Sequence, residues 1–170
     1  MPLCYVSIGS NINREHNIRS ALGILDATFG TLTHSSLYES VAVGFTGTAF
    51  YNLVSAFHSD HDAQHINQTL KAIETEHGRI PNKEKFSART LDIDLLLYDQ
   101  DIIHTESIKI PHNDILNYAF VLEPLAEIAP EHHHPIKQIS YAELWADFDK
   151  STVQQRKISD YPLLRKQESL

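Results

Sequence analysis

"ARTLDIDLLLYD", residues 88–99, decides the fold and poses the first chemical question. From Leu91 to Tyr98 its apolar residues predict a buried strand, interrupted by Asp92 and Asp94. Strand residues two apart face the same side, roughly 6.6–6.8 Å apart along the backbone. Asp92 and Asp94 therefore share one face, and Leu91, Ile93, Leu95 and Leu97 are expected on the other, against a helix-covered core. Two carboxylates held this close repel, and burying either one unpaired is costly. A solvated face, ion pairs with Arg or Lys, or bound divalent cations would each relieve the conflict.

Directly upstream, "RIPNKEKFSAR" (79–89) carries Arg79, Lys83, Lys85 and Arg89 against a single acid, Glu84. A basic loop running into a diacidic strand sets phosphate-binding cations beside cation-binding carboxylates. Magnesium typically takes one or two carboxylates and fills its shell with water and substrate phosphates. A nucleotide–magnesium site accounts for these charges; a surface loop whose cations merely pair with the aspartates is the alternative.

Outward from this strand the chain reads as alternating elements. Residues 3–8 predict a strand that turns at Gly9-Ser10-Asn11. Ile18, Leu22, Leu25 and Phe29 recur at helical spacing, and Gly30 is placed to stop that helix. "TLTHSSLYES" and "FYNLVSAFH" predict two strands joined by the glycine-bearing loop "VAVGFTGTA" (41–49). A second helix is expected over 62–77, with Ala63, Ile66, Leu70 and Ile73 on one face and Gly78 at its end. The order β-α-β-β-α-β implies an α/β (α+β) fold with a ferredoxin-like core, an antiparallel sheet with helices on one face. A hairpin ("DQDIIHTESIKI") and short helical pieces ("NDILNYAF", "VLEPLAEIAP") follow. Residues 1–150 are expected to form one domain, and the polar tail 151–170 to be mobile in part.

The 170 residues suffice for a sizeable core, and the net charge of −8 argues against non-specific binding to nucleic acid or anionic membranes. The lone Cys4 excludes an intrachain disulfide and reads as a buried, inert thiol. No apolar run reaches transmembrane length and no signal peptide is evident, so a cytoplasmic location is expected. "EHHHP" (131–135) reads as a surface loop in preference to a metal site, because adjacent histidines cannot all point at one ion.

"SIGSN" (7–11), "RTLDIDLLLYD" (89–99) and "IPHNDILNYAFVLEPLAEIAP" (110–130) together resemble the 6-hydroxymethyl-7,8-dihydropterin pyrophosphokinases of folate biosynthesis. The likeness runs from about Leu3 to Pro130. It implies transfer of the β,γ-pyrophosphoryl group of ATP, the co-substrate, to the hydroxymethyl group of the pterin, releasing AMP. It further implies that Asp92 and Asp94 hold two Mg²⁺ ions. Arg79, Arg89, Asp92 and Asp94 form the implied catalytic set; Glu74, Lys85, Arg89 and His112 match nucleotide-side positions. An exposed helix face accounts for Glu74 equally well. Phe50 and Phe120 match the aromatics that stack on the pterin, Asn52 an asparagine reading its edge, and Ser40 and Val43 backbone contacts. Phe50 and Asn52, two apart on a strand, share a face.

The likeness also implies small-molecule partners only, a monomer, and loops 41–49 and 79–87 that close over the substrates. Alignment and charge neutralisation dominate phosphoryl-type transfer, so no covalent intermediate is expected on Cys4 or a serine. Pro81, Lys85 and Tyr118 stand where arginines are usual, Phe86 where tryptophan is usual, and Asn113 where tyrosine often follows the histidine. Two alternatives are a divergent pterin-binding paralogue with weak or altered transfer activity, and an interaction module whose acids form a surface patch.

Overall fold

The computed structural model of the protein describes residues 1–41, 48–78 and 91–158. Its elements are β1 (Leu3–Ser10), α1 (Arg14–Phe29), β2 (Thr33–His34), β3 (Leu37–Ser40), β4 (Phe50–His58), α2 (Ala63–Glu76) and β5 (Asp92–Tyr98). The hairpin β6 (Ile103–His104) and β7 (Lys109–Ile110) follows, then α3 (Asp114–Asn117), α4 (Ala119–Ile128), α5 (Tyr141–Asp147) and β8 (Gln155–Ile158). The main sheet runs β5-β1-β4-β3-β8, antiparallel throughout, with β2 also pairing β4. Through β5 this is the expected ferredoxin-like β-α-β-β-α-β unit, its last strand lying beside its first.

Local chemistry marks the start of α2 and the end of α1. Asp62 caps α2, its carboxylate accepting the His65 N–H at 2.8 Å. Gly30, at φ 84°, ends α1 by donating its N–H to the Asp26 carbonyl at 2.9 Å, a backbone conformation that favours glycine. The buried faces of the two helices (Ile18, Leu22 and Leu25; Ile66, Leu70 and Ile73) close over Cys4, Val6, Ile8, Leu53, Phe57 and Ile93 of the sheet. Burial, with Asp99 nearby, pushes the Cys4 thiol up to about 12, so it stays protonated and inert.

A bulge in β5 changes one expected face. Val6 pairs with Leu95 but Tyr5 with Leu97, so Leu96 is an extra residue. The inserted residue reverses the alternation, and Leu97 joins Tyr5 on the opposite face from Ile93 and Leu95. That opposite face is not bare, contrary to the expectation of helices on one face only. Ile115 of α3, Val121, Leu122 and Leu125 of α4, and Tyr141 of α5 bury Tyr5, Val54, Leu96 and Leu97 in a second core.

Three further expectations change. "TLTHSSLYES" is split into β2 and β3 because Ser35 and Ser36 turn their bonding capacity elsewhere. The Ser35 N–H and Oγ bond the Val54 backbone at 2.8 and 2.9 Å, whereas the Ser36 N–H and Oγ–H donate to Glu127 at 2.8 and 2.7 Å. Within the expected tail, residues 155–158 form β8. In "EHHHP", His132 and His133 are exposed but His134 is buried, its Nδ1 accepting the backbone N–H groups of Ile136 and Lys137 at 3.2 and 3.1 Å. Among the described residues no helix is long and apolar enough to cross a membrane.

Glu127 ties α4 to the sheet, accepting from Ser36 and from the Tyr38 hydroxyl and lying 3.7 Å from Lys157 Nζ. Burial alone would raise its pKa. The hydrogen bonds from Tyr38 and Ser36 and the charge of Lys157 outweigh that and hold it below the ordinary 4.5. A carboxyl depressed in the folded state contributes its full stabilisation above the unfolded pKa and loses it as pH falls through the folded value. Urea unfolding should therefore show Glu127→Gln less stable by about 1–3 kcal/mol at neutral pH. Below pH 4.5 the mutant should also lose stability less steeply than the wild type.

Candidate active site

The antiparallel register lines up Asp92, Gly9, Asn52 and Tyr38 in one row across β5, β1, β4 and β3. Asp94, Ser7 and Val54 form the next row. Both rows lie on the face turned away from α1 and α2. The helical cover there buries Tyr5 and leaves Ser7 partly exposed; in the first row Asp92 is partly exposed, whereas Gly9, Asn52 and Tyr38 are buried, the Tyr38 hydroxyl donating to Glu127 of α4. Gly9 separates the acids from Asn52. A Cβ at Gly9 would lie 2.8 Å from Asn52 Oδ1, closer than side chains tolerate.

At the acidic end, β5 is the edge of the sheet and two α2 side chains reach round it. The Ile93 N–H donates to Glu74 Oε2 at 2.9 Å, and the Ile93 carbonyl accepts from Lys71 Nζ at 3.0 Å. The same ammonium lies 3.1 Å from Asp94 Oδ1 and 3.4 Å from Glu74 Oε1. Glu74 is only 2% exposed, which overturns the exposed-face explanation for it. Burial by itself would lower the Lys71 pKa. Asp94, Glu74 and Asp92 more than offset this and leave it above the usual lysine value, so Lys71 is charged at neutral pH.

The β6–β7 hairpin returns the chain to this corner, where the His112 N–H donates to the Leu96 carbonyl at 3.0 Å. Ligand atoms of Asp94, His112 and Asp114 lie within 4.8 Å of one another, close enough to surround a cation. The hydrogen bonding assigns them different tasks. His112 Nδ1 accepts the Asp114 N–H at 3.1 Å. A backbone amide can only donate, so the neutral ring carries its proton on Nε2 and offers a donor there. The carboxylates of Asp94 and Asp114, with Asp92 on the same face of β5, form the oxygen set that hard cations such as magnesium prefer.

At the other end of the row, Asn52 Nδ2 donates to Ser40 Oγ at 2.8 Å, and both residues are buried. Phe50 alternates onto the face of Asn52 and pairs with Ser40. Phe120, in the first turn of α4, stacks on Tyr118 with ring centroids 5.1 Å apart and planes 15° apart. Both phenylalanines are partly exposed, as a stacking surface requires. Asn11 and Arg14 hold the incoming side of β4, donating to the Thr48 and Ala49 carbonyls at 3.1 and 2.8 Å.

The structure thus brings together Asp92, Asp94, Glu74 and His112, and separately Ser40, Phe50 and Asn52 beside α4 with Phe120. Val43, Arg79, Lys85 and Arg89 lie outside the described residues, as do most of the loops 41–49 and 79–87. Lys71, Asp114 and the spacing role of Gly9 were not foreseen. Asp114 reads in the sequence as an ordinary acid in a first helical turn. Lys71 carries one faint signal, its i, i+3 spacing from Glu74.

Residues 5–130 match the family of 7,8-dihydro-6-hydroxymethylpterin-pyrophosphokinase (HPPK). The 2-amino-4-hydroxy-6-hydroxymethyldihydropteridine pyrophosphokinase of Haemophilus influenzae is 35% identical over 143 residues, covering 82% of this chain and 89% of that protein. The folic acid synthesis protein fol1 of Pneumocystis carinii is 36% identical over 141 residues, 81% of this chain but 19% of its own length. The wild-type HPPK-DHPS structure of Plasmodium falciparum superposes with a TM-score of 0.67 at 14% identity, over 85% of this chain. The chain spans 44% of that structure's length, so this likeness concerns the fold.

Gly9→Ala should lower the unfolding free energy by about 1–3 kcal/mol through the clash with Asn52. In a double-mutant cycle read by urea denaturation, adding Asn52→Ala should cost less than the two single effects summed.

Proposed function

The chain belongs to the 7,8-dihydro-6-hydroxymethylpterin-pyrophosphokinase family, and we propose that pyrophosphate passes from ATP to 6-hydroxymethyl-7,8-dihydropterin across one face of its sheet, a step of folate synthesis. The observation that carries this reading is the row Asp92–Gly9–Asn52. Two strand spacings, roughly 10 Å, separate a cation-binding corner from a heterocycle-binding one, on a single face and with no side chain between them.

In the pterin half, the ring lies between Phe50 and Phe120, and Asn52 and Ser40 read its polar edge. Such stacking typically contributes about 0.5–1.5 kcal/mol beyond area burial. In the nucleotide half, Asp92, Asp94 and Asp114 would hold magnesium, which supplies positive charge to the phosphate oxygens. The oxygen-only donor set fits that ion. His112 donates from Nε2 to a phosphate oxygen, its ring fixed by the Asp114 amide. Glu74 and Lys71 hold the β5 edge and orient Asp94. Arg79, Lys85 and Arg89 add cations to the phosphates.

The pterin hydroxymethyl oxygen attacks the β-phosphorus. The bond from that phosphorus to the α,β-bridging oxygen breaks, AMP leaves, and the hydroxyl proton passes to solvent. No protein nucleophile is required, consistent with the inert Cys4 thiol.

Chromatographic product analysis with ATP, magnesium and the hydroxymethyl-dihydropterin should give one AMP per pterin consumed. ADP as the nucleotide product, or turnover independent of the pterin, would overturn the assignment. Asp94→Asn should lower kcat by about 10²-fold or more while pterin binding measured by calorimetry stays near wild type. Equal loss of pterin binding would show that the two corners are not separate.

A further inference from the structure

We infer that the C-terminal strand β8 is a working part of the pterin half of the cleft, and that Gln155 is a positioning residue for Phe120. The inference rests on the proposed reading of that half, yet β8 lies beyond residues 5–130, where the family match ends. Gln155 pairs with Ser40, so the strand lies directly beside the Ser40–Asn52 hydrogen bond. Its side chain crosses from the sheet to α4. Nε2 donates to the Ala119 carbonyl at 3.1 Å and to Glu123 Oε1 at 2.7 Å.

Both partners accept only, so the amide nitrogen must face them, and each of its two N–H groups has a destination. Ala119 immediately precedes Phe120, and Glu123 lies one turn later on the same helix. One carboxamide therefore fixes the first turn of α4, and with it the Phe120 ring, relative to β3. Gln154 adds a backbone tie, its carbonyl accepting the Val41 N–H at 3.1 Å where the chain leaves β3.

The neighbouring residue supplies an internal control. Arg156 alternates to the other face of β8 and pairs with Glu39, its Nε and Nη2 both 3.1 Å from Oε1. Removing it weakens the same strand pairing without touching α4. A purely architectural β8 predicts equivalent consequences for Gln155 and Arg156; a positioning role for Gln155 does not.

The test uses the full chain. Gln155→Glu keeps the shape but replaces both donors with oxygens facing oxygens; Gln155→Ala serves if that variant does not fold. By calorimetry, Gln155→Glu should weaken hydroxymethyl-dihydropterin binding about tenfold, the loss of hydrogen-bonded positioning worth roughly one to two kcal/mol. Magnesium–ATP affinity should hold within about twofold, and Arg156→Ala should hold both affinities at any comparable loss of Tm. Pterin affinity unchanged in both Gln155 variants, or both ligands weakened equally, would overturn the inference. A wild-type chain that binds pterin without releasing AMP would instead overturn the proposed reaction and leave the role of Gln155 standing.

Discussion

Asp92 and Asp94 cannot turn away from each other, because Ile93 between them is locked into the core under α1 and α2. Rotating the strand to separate the charges would expose Ile93 and bury carboxylates, at a cost of several kcal/mol. The repulsion must therefore be answered where it stands. Lys71 answers part of it from α2, with its ammonium shared among Asp94, Glu74 and the Ile93 carbonyl. The rest of the corner is arranged around that fixed negative charge. His112 is held with its Nε2 proton available, and Gly9 leaves room for the Asn52 amide beside it.

What the sequence disclosed follows from how local each signal is. Period two in residues 91–95 gave the shared face of the acids; Gly30 marked a helix end through its backbone freedom and Asp62 a helix start through its carboxylate. Leu97 was misplaced because the bulge arises from the pairing of β5 with Tyr5 and Val6, a register that the strand's own composition does not encode. Glu74 was ambiguous for a related reason. Its partner is the backbone N–H of the following strand, and amides leave no mark in a sequence. The strand 155–158 escaped notice because "QRKI" is mostly polar; it holds through ladder bonds and side chains that reach α4 and Glu39.

The two faces of the sheet divide the labour. Beneath α1 and α2 the packing is mainly apolar and specifies the fold. On the other side, α3, α4 and α5 pack a second core, and most residues matched to substrate lie around its margin, among them the partly exposed Phe50, Asp92, Asp94 and Phe120. Phe120 belongs to both regimes, packed against the second core yet partly exposed. The position of α4 therefore bears on the geometry of the proposed pterin half as well as on the stability of the domain. Glu127 and Gln155 fasten that helix to the sheet from its two ends.

The side chains reaching round β5 have one more consequence. An outermost strand normally offers its free amides and carbonyls to any other chain in extended form, which is the usual route to edge-to-edge aggregation. At Ile93 both groups are already engaged by Glu74 and Lys71. A second polypeptide could not pair with Ile93 without displacing a charged side chain from each of the two peptide groups that flank it. The contacts that hold Asp94 in place thus also occupy the outward-facing backbone groups of Ile93, where another strand would otherwise pair.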